Sequence, residues 1–101
     1  MLPTRSRELC ARALLEAKAD PNKANNNGFT ALIFSCQNGH VQCARALLEA
    51  EADPNKASEQ GATALILSCQ NGHELCARAV IKAGANLEAA IPSGHTALML
   101  S

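Results

Sequence analysis

The chain has 101 residues, with nine basic and nine acidic side chains, so its formal net charge is zero. Hydrophobic residues make up 48% of the sequence and aromatic residues only 2%, without Trp or Tyr. This length suits one small domain, and a core without large rings favours closely packed helical layers. Because phosphate neutralisation dominates nucleic-acid affinity, the balanced and scattered charges argue against nucleic-acid and membrane-surface partners.

The N-terminal residues and the cysteines indicate where the chain works. No continuous apolar stretch follows Met1, so no secretory signal is predicted. Five cysteines are an odd number, which argues against a disulfide framework and for reduced, buried thiols. We therefore predict a cytoplasmic or nuclear location, and an irregular leader over residues 1–6.

Two helices are predicted in the first part of the chain. The first spans 7–17 and ends before a polar turn that contains Pro21 and Asn22, residue types that favour turns. A short helix over 31–37 follows, because the Thr30 hydroxyl can accept a hydrogen bond from a free amide at a helix start.

Asn38 and Gly39 are predicted to end this short helix, because both tolerate a positive φ. A third helix then begins at residue 40 or 41 and continues to about Ala50, where the turn at Pro54 prevents its extension. Its apolar positions are broad enough to face two neighbouring layers. One unit is therefore a helix, a tight turn, a second helix and a long polar loop.

This unit repeats. Gly-x-Thr-Ala-Leu recurs with a period of 33 residues, at 28–32, 61–65 and 94–98. Ser-Cys-Gln-Asn-Gly-His at 35–40 is repeated without change at 68–73, and residues 10–24 differ from 43–57 only at Lys18. A unit of two helices cannot bury its apolar faces alone, so stacking of the copies predicts an all-α solenoid.

A 33-residue helix-turn-helix unit that opens with Gly-x-Thr-Ala-Leu resembles the ankyrin repeat, whose signature is T-P-L-H-x-A. The resemblance continues through Asn-Gly-His and through Leu-Leu-Glu-Ala-x-Ala-Asp-Pro-Asn. It implies an ankyrin array over 7–101, divided into partial and full repeats at 7–24, 25–57, 58–90 and 91–101. The chain then stops inside a helix, and we expect Leu98, Met99 and Leu100 at an open face of a longer array.

Three positions depart from the family pattern. Ala replaces Pro after the capping Thr, which a first helical turn tolerates. Ile33, Ile66 and Met99 replace the family's His, so apolar contact should substitute for its hydrogen bonds between repeats. Lys18 and Glu51 stand where the family has Gly, and a left-handed conformation there costs roughly 1 kcal/mol.

Candidate chemical sites have a simpler structural interpretation. Cys36, His40 and Cys43 are zinc-ligand types, and the set recurs one repeat later, but a turn separates the first Cys from the others. Cysteine there is interpreted as a small hydrophobic residue. Ser35 and Ser68 lie at a packing position of the repeat and not at a unique site. We predict no catalytic, metal or cofactor site, and no small-molecule substrate.

The repeats differ most at their loop tips, where family members usually contact partner proteins. The resemblance places partner contacts at the tips and on two glutamines of the short helices: Asn25, Asn26, Asn27, Phe29, Gln37, Ser58, Glu59, Gln60, Ala62, Gln70, Ile91, Pro92, Ser93 and His95. Variable tips on a constant frame suit a binding array, although unconstrained loops could also drift. Phe29 is the best anchor candidate.

The predicted function is therefore non-enzymatic protein binding, within a longer polypeptide. The alternatives are a regulatory ankyrin segment of a larger enzyme or channel, and a structural spacer without a partner.

Overall fold

The computed structural model describes residues 3–100, with side chains from residue 7 onward. Six α-helices account for its regular structure: α1 Pro3–Glu16, α2 Ala31–Asn38, α3 Val41–Glu49, α4 Ala64–Gln70, α5 Glu74–Lys82 and α6 Ala97–Leu100. Only isolated bridges, Ala24 to Thr30 and Ala90 to Thr96, add β-type pairing within these residues. The predicted all-α solenoid is confirmed.

The first helix begins earlier than the sequence indicated. We expected residues 1–6 to be irregular, but α1 starts at Pro3, so the interpretation is wrong for residues 3–6. Proline is compatible with a first helical turn, because its missing N–H would have no partner there and its φ is already helical. Residues 1 and 2 lie outside the described part of the chain.

Threonine begins the short helices as predicted. The Thr30 Oγ1 accepts a hydrogen bond from the Ile33 amide at 3.2 Å, and Thr63 does the same for Ile66 at 3.2 Å. Gly39 follows α2 with a φ of 77°, a left-handed conformation that Gly adopts without cost. The sequence therefore located both ends of α2 to within one residue.

The helices form two stacks around one core. The first helices of successive units, α2, α4 and α6, pack on one another, and so do the second helices α1, α3 and α5. Within a unit, α2 packs on α3 and α4 on α5. The largest completely buried side chains include Leu32, Ile33, Ile66, Val80, Cys36 and Cys76. The apolar contact predicted for Ile33 and Ile66 is confirmed, since each is 1% exposed, whereas Met99 is 66% exposed and does not follow that prediction.

The turns after α1 and α3 are left-handed at non-glycine residues. Lys18 and Glu51 both have a φ of 70°, and Gly84 at the equivalent turn has 99°. All three turns close with the same bond, in which the next amide donates to a carbonyl five residues back, such as Ala52 to Leu47 at 3.0 Å. The predicted strain at Lys18 and Glu51 is present, although the turns keep a common shape.

Asparagine side chains in these turns join one repeat to the next. The Asn22 Oδ1 accepts a hydrogen bond from the Asp53 amide at 2.6 Å, and Asn55 accepts one from Asn86 at 2.5 Å. Each bond crosses about one period of the chain. These residues therefore connect the layers, in addition to forming the local turns that the sequence suggested.

The cysteines are reduced, but they are not all buried. Cys36, Cys43 and Cys76 are buried, whereas Cys69 is half-buried and Cys10 is exposed. Cys43 lies near Glu8 and Cys10 of α1, and Cys76 hydrogen-bonds to Cys36 of α2, so each of these thiols is close to a neighbouring repeat. A hydrogen bond with Cys76, together with burial, raises the pKa of the Cys36 thiol far above its ordinary value. Cys36 is therefore a protonated core residue.

The last helix leaves part of its apolar surface exposed. Leu98 is 83% and Met99 66% exposed, in agreement with the expected open face. Leu100 differs from that expectation, because it is half-buried and packs against the core. Leu100 thus contributes to the helical stack although α6 is only four residues long.

Candidate protein-binding surface

The loop tips of the first two full units lie against each other. The Glu59 amide donates a hydrogen bond to the Asn27 carbonyl at 3.0 Å, a backbone contact between equivalent loops. Gly28 permits this approach, because a Cβ at that position would lie 2.9 Å from the Glu59 nitrogen. The tips therefore form a continuous edge.

The next pair of tips lacks this bond. Pro92 occupies the position of Glu59 one period later, and proline has no N–H to donate. A Cβ at Gly61 would lie 3.4 Å from the Pro92 Cδ, which is ordinary contact. The third loop is consequently packed against the second less closely than the second is against the first.

Two of the predicted contact residues hold the loops in shape. The Asn25 Oδ1 accepts hydrogen bonds from the amides of Asn27 at 2.9 Å and Phe29 at 3.0 Å. The Ser58 hydroxyl accepts one from Ala62 at 3.1 Å, and Ser58 is only 6% exposed. Ser58 is therefore withdrawn from the surface and offers little of its side chain to a partner, whereas Asn25 makes the same kind of bond and remains exposed.

Several other tip residues are available to a partner. Asn25, Asn26, Asn27, Glu59, Gln60, Pro92, Ser93 and His95 are exposed. Phe29, Ala62 and Ile91 are half-buried and pack against the core, so they offer only part of their surface. In the third loop, the Ser93 hydroxyl and the His95 Nδ1 share a hydrogen bond of 2.7 Å. The exposed edge is polar, with amide and hydroxyl groups in the majority.

An aromatic pair lies beside the first tip. The ring centroids of Phe29 and Phe34 are 5.0 Å apart at an interplanar angle of 39°, and Phe34 is 44% exposed. Phe34 borders a groove of about 420 Å³ between α1 and α2. The equivalent Leu67 is 8% exposed, because α2 covers that face of α4.

Phe34 was missed in the sequence analysis. The available clue was that the two aromatic residues of the chain lie five positions apart in one unit.

The two glutamines lie apart from the tips. Gln37 is half-buried and Gln70 exposed, and both are near the C-terminal ends of α2 and α4, whereas the tips precede the N-terminal ends. At 1.5 Å per residue this separation is about 10 Å. The Asn71 side chain donates to the Gln37 carbonyl at 3.0 Å, which ties these helix ends together. A partner would reach both regions only by extending along the helices.

The histidines that follow the Asn-Gly turns have structural contacts. A Cβ at Gly39 would lie 2.7 Å from the His73 Nδ1, so the imidazole of one repeat covers the turn of the previous one. The His40 Nε2 is 3.1 Å from an Arg7 guanidinium nitrogen. The pKa of His40 is lowered, mainly by burial and then by the nearby charges of Arg7 and His73. Among the described residues, no three His, Cys, Asp or Glu side chains are arranged to hold a metal ion.

Comparison with known proteins agrees with this geometry. The family model for ankyrin repeats in three copies matches residues 4–90. The crystal structure of the human ASB11 ankyrin repeat domain superimposes with a TM-score of 0.77 at 31% sequence identity, over 85% of this chain. The match covers 39% of that domain, so the present chain spans less than half of it. A comparison with curated protein sequences gave no match.

No helix within residues 3–100 is long and apolar enough to span a membrane. Ankyrin repeats are generally protein-interaction modules, and the described surface has the tip edge on which such modules vary. The 33-residue period, the two helical stacks and the family match over most of its length show that the chain belongs to the ankyrin repeat family.

Proposed function

We propose that the chain is a non-enzymatic module that binds a partner protein along its loop tips. The exposed residues of this edge are Asn26 and Asn27 in the first loop, Glu59 and Gln60 in the second, and Ser93 and His95 in the third. The single observation that supports the proposal most is the hydrogen bond between the Asn27 carbonyl and the Glu59 amide. This bond fixes two loop tips to each other. The tips carry the residues that differ between repeats, whereas the helices beneath them are nearly the same in each repeat.

The Phe29 and Phe34 pair supplies an apolar anchor next to the polar edge. Phe34 remains 44% exposed, and aromatic side chains contribute strongly to protein interfaces. Asn26 in the first loop and Gln60 in the second carry exposed amide groups that can donate and accept hydrogen bonds. This combination suits a protein surface with a central apolar contact and a polar rim. Gln37 and Gln70 would join the interface with a partner that runs along α2 and α4.

The test compares the wild-type chain with the variant Asn26→Ala, Phe34→Ala, Gln60→Ala as immobilised baits in a cell extract. Specific partners should be recovered by the wild type and depleted with the variant. Gln42→Ala serves as the control, because Gln42 is also exposed but lies on α3, away from the tips. Circular dichroism melting of all three proteins checks that they remain folded.

Equal recovery of every protein by wild type and the tip variant would contradict the proposed surface. Loss of the same partners with Gln42→Ala would place the contact on the second helices instead.

A further inference from the structure

The second helices carry a periodic set of charges that is broken in the middle repeat. Arginine recurs at the same position of α1, α3 and α5, as Arg12, Arg45 and Arg78. Arg12 has two carboxylate partners, Glu8 at 3.0 Å on its own helix and Glu49 at 3.2 Å on the next. Arg78 pairs with Glu74 at 2.7 Å, which repeats the first of these contacts.

Arg45 has lost the carboxylate at both equivalent positions. One period after Glu8 the chain has Val41, and one period after Glu49 it has Lys82. The described side chains accordingly form no ion pair with Arg45 at or below 4.0 Å. The lysine at position 82 therefore converts the site of an ion pair between repeats into two cations, and Val41 removes the carboxylate within the helix.

Arg45 and Lys82 line the same shallow groove between α3 and α5. The groove has a volume of about 320 Å³, and its other lining residues are Leu48, Glu49, Ala79 and Ala83. Both cations are exposed. Glu49 contributes the one carboxylate of the lining, but its Oε1 is held by Arg12. Arg45 and Lys82 thus border a small apolar surface that Leu48, Ala79 and Ala83 form.

The equivalent groove one repeat earlier shows what the change does. Arg12 and Glu49 face each other across it, above Leu15, Ala46 and Ala50. There the cation is satisfied within the chain. Between α3 and α5 the place of that glutamate is taken by a lysine, so both cations are left exposed and open to a carboxylate of another molecule.

From this contrast we propose that the Arg45 and Lys82 groove binds a carboxylate side chain of a protein partner, presented next to a small aliphatic residue. The inference rests on the proposed protein-binding function and adds a second contact region with a defined chemistry. A guanidinium accepts the planar geometry of a carboxylate, and the ammonium supplies a second charge-assisted hydrogen bond. A nucleic acid fits less well, because the chain has no net positive charge to follow a phosphate backbone.

The experiment uses fluorescence anisotropy of a labelled eight-residue peptide of alternating Glu and Ala, with the full 101-residue chain at low ionic strength. Lys82→Glu restores the residue of the other repeats and should close the groove by pairing with Arg45. We expect Lys82→Glu and Arg45→Gln to weaken peptide binding by about tenfold each, the loss of a charge-assisted bond. Arg78→Gln is the matched control and should change the affinity for the peptide by less than about twofold.

Thermal melting checks that the variants are folded. Lys82→Glu should melt at a temperature no lower than that of the wild type. Unchanged peptide affinity in Lys82→Glu, or an equal loss in Arg78→Gln, would overturn the assignment. So would a single-stranded oligonucleotide that binds with the same sensitivity to Lys82→Glu. The tip variant Asn26→Ala, Phe34→Ala, Gln60→Ala should bind the peptide normally, so failure of the tip proposal and failure of this one are separable.

Discussion

The Asn27 carbonyl accepts a hydrogen bond from the Glu59 amide at 3.0 Å, and this contact depends on the glycine between Asn27 and Phe29. A side chain at Gly28 would collide with the backbone of the neighbouring loop at 2.9 Å and 3.1 Å. The variable tips of two repeats are thus fixed to each other through backbone atoms, which leaves their side chains free to vary.

Gly28→Ala should therefore be more harmful than alanine at another left-handed glycine. Gly94 is the control, because its φ of 88° matches the 81° of Gly28 but nothing lies within 4 Å of its added Cβ. We expect Gly94→Ala to lower the free energy of unfolding by about 1 kcal/mol, and Gly28→Ala by about 2 to 3 kcal/mol. Urea denaturation of both variants measures the difference. Equal losses would show that the loops separate readily.

Asn25 and Asn26 should respond differently to alanine although they are neighbours in the same loop. The Asn25 side chain accepts from two amides, whereas none of the hydrogen bonds found in the described residues involves the Asn26 side chain. Asn25→Ala should lower the free energy of unfolding by about 1 to 2 kcal/mol, and Asn26→Ala by less than about 0.5 kcal/mol. Chemical denaturation distinguishes the two, and a large effect of Asn26→Ala would assign it a structural role.

Glu51→Gly should stabilise the chain. Glu51 has a φ of 70°, which costs a non-glycine residue roughly 1 kcal/mol, so removing the side chain should recover a large part of that cost. Ala50→Gly next to it is the control, since Ala50 has a φ of −88° and should lose up to about 1 kcal/mol on the same change. The melting temperatures should move in opposite directions. A lower melting temperature for Glu51→Gly would mean that its side chain has a contact worth more than the strain.

Stability should fall as the pH decreases through the range in which His40 is protonated. The pKa of His40 is lowered in the folded state, so the unfolded chain binds more protons than the folded chain below the ordinary value of 6.5. The contribution is complete above that value and is lost as the pH falls toward the folded pKa. His40→Gln should flatten this part of the profile, as followed by urea midpoints between about pH 7 and 5. An unchanged slope would assign the dependence to other groups.

The helices, their ends and the stacking of the units could be predicted from the sequence, whereas several specific side-chain contacts between units could not. Thr30, Gly39 and the Asn-Gly turns mark helix ends by local chemistry that acts within a few residues. The burial of Ser58 and the exposure of Phe34 depend on which residue of an adjoining unit lies opposite. Alignment of the three units shows that Arg45 lacks the glutamates of its counterparts, but only the bond from Arg12 to Glu49 reveals which position matters.

The start of α1 at Pro3 was missed for a different reason. Proline is usually taken as a helix breaker, and here it occupies the first helical position, where its missing amide has no cost. Residues 4–6 are polar, so hydrophobic periodicity gave no indication that the helix extends through them.

The bond from Asn22 to Asp53 and the bond from Asn55 to Asn86 are equivalent contacts between successive repeats. Asn22 and Asn55 lie in segments 10–24 and 43–57, which differ at one position. Loss of residues 25–57 would join Ala24 to Ser58 and bring Asn22 next to the turn at Asn86 in the register that Asn55 now has. A whole period can thus be removed or added without loss of these hydrogen bonds between neighbouring repeats. The number of repeats can therefore change while the contacts between neighbouring repeats stay the same.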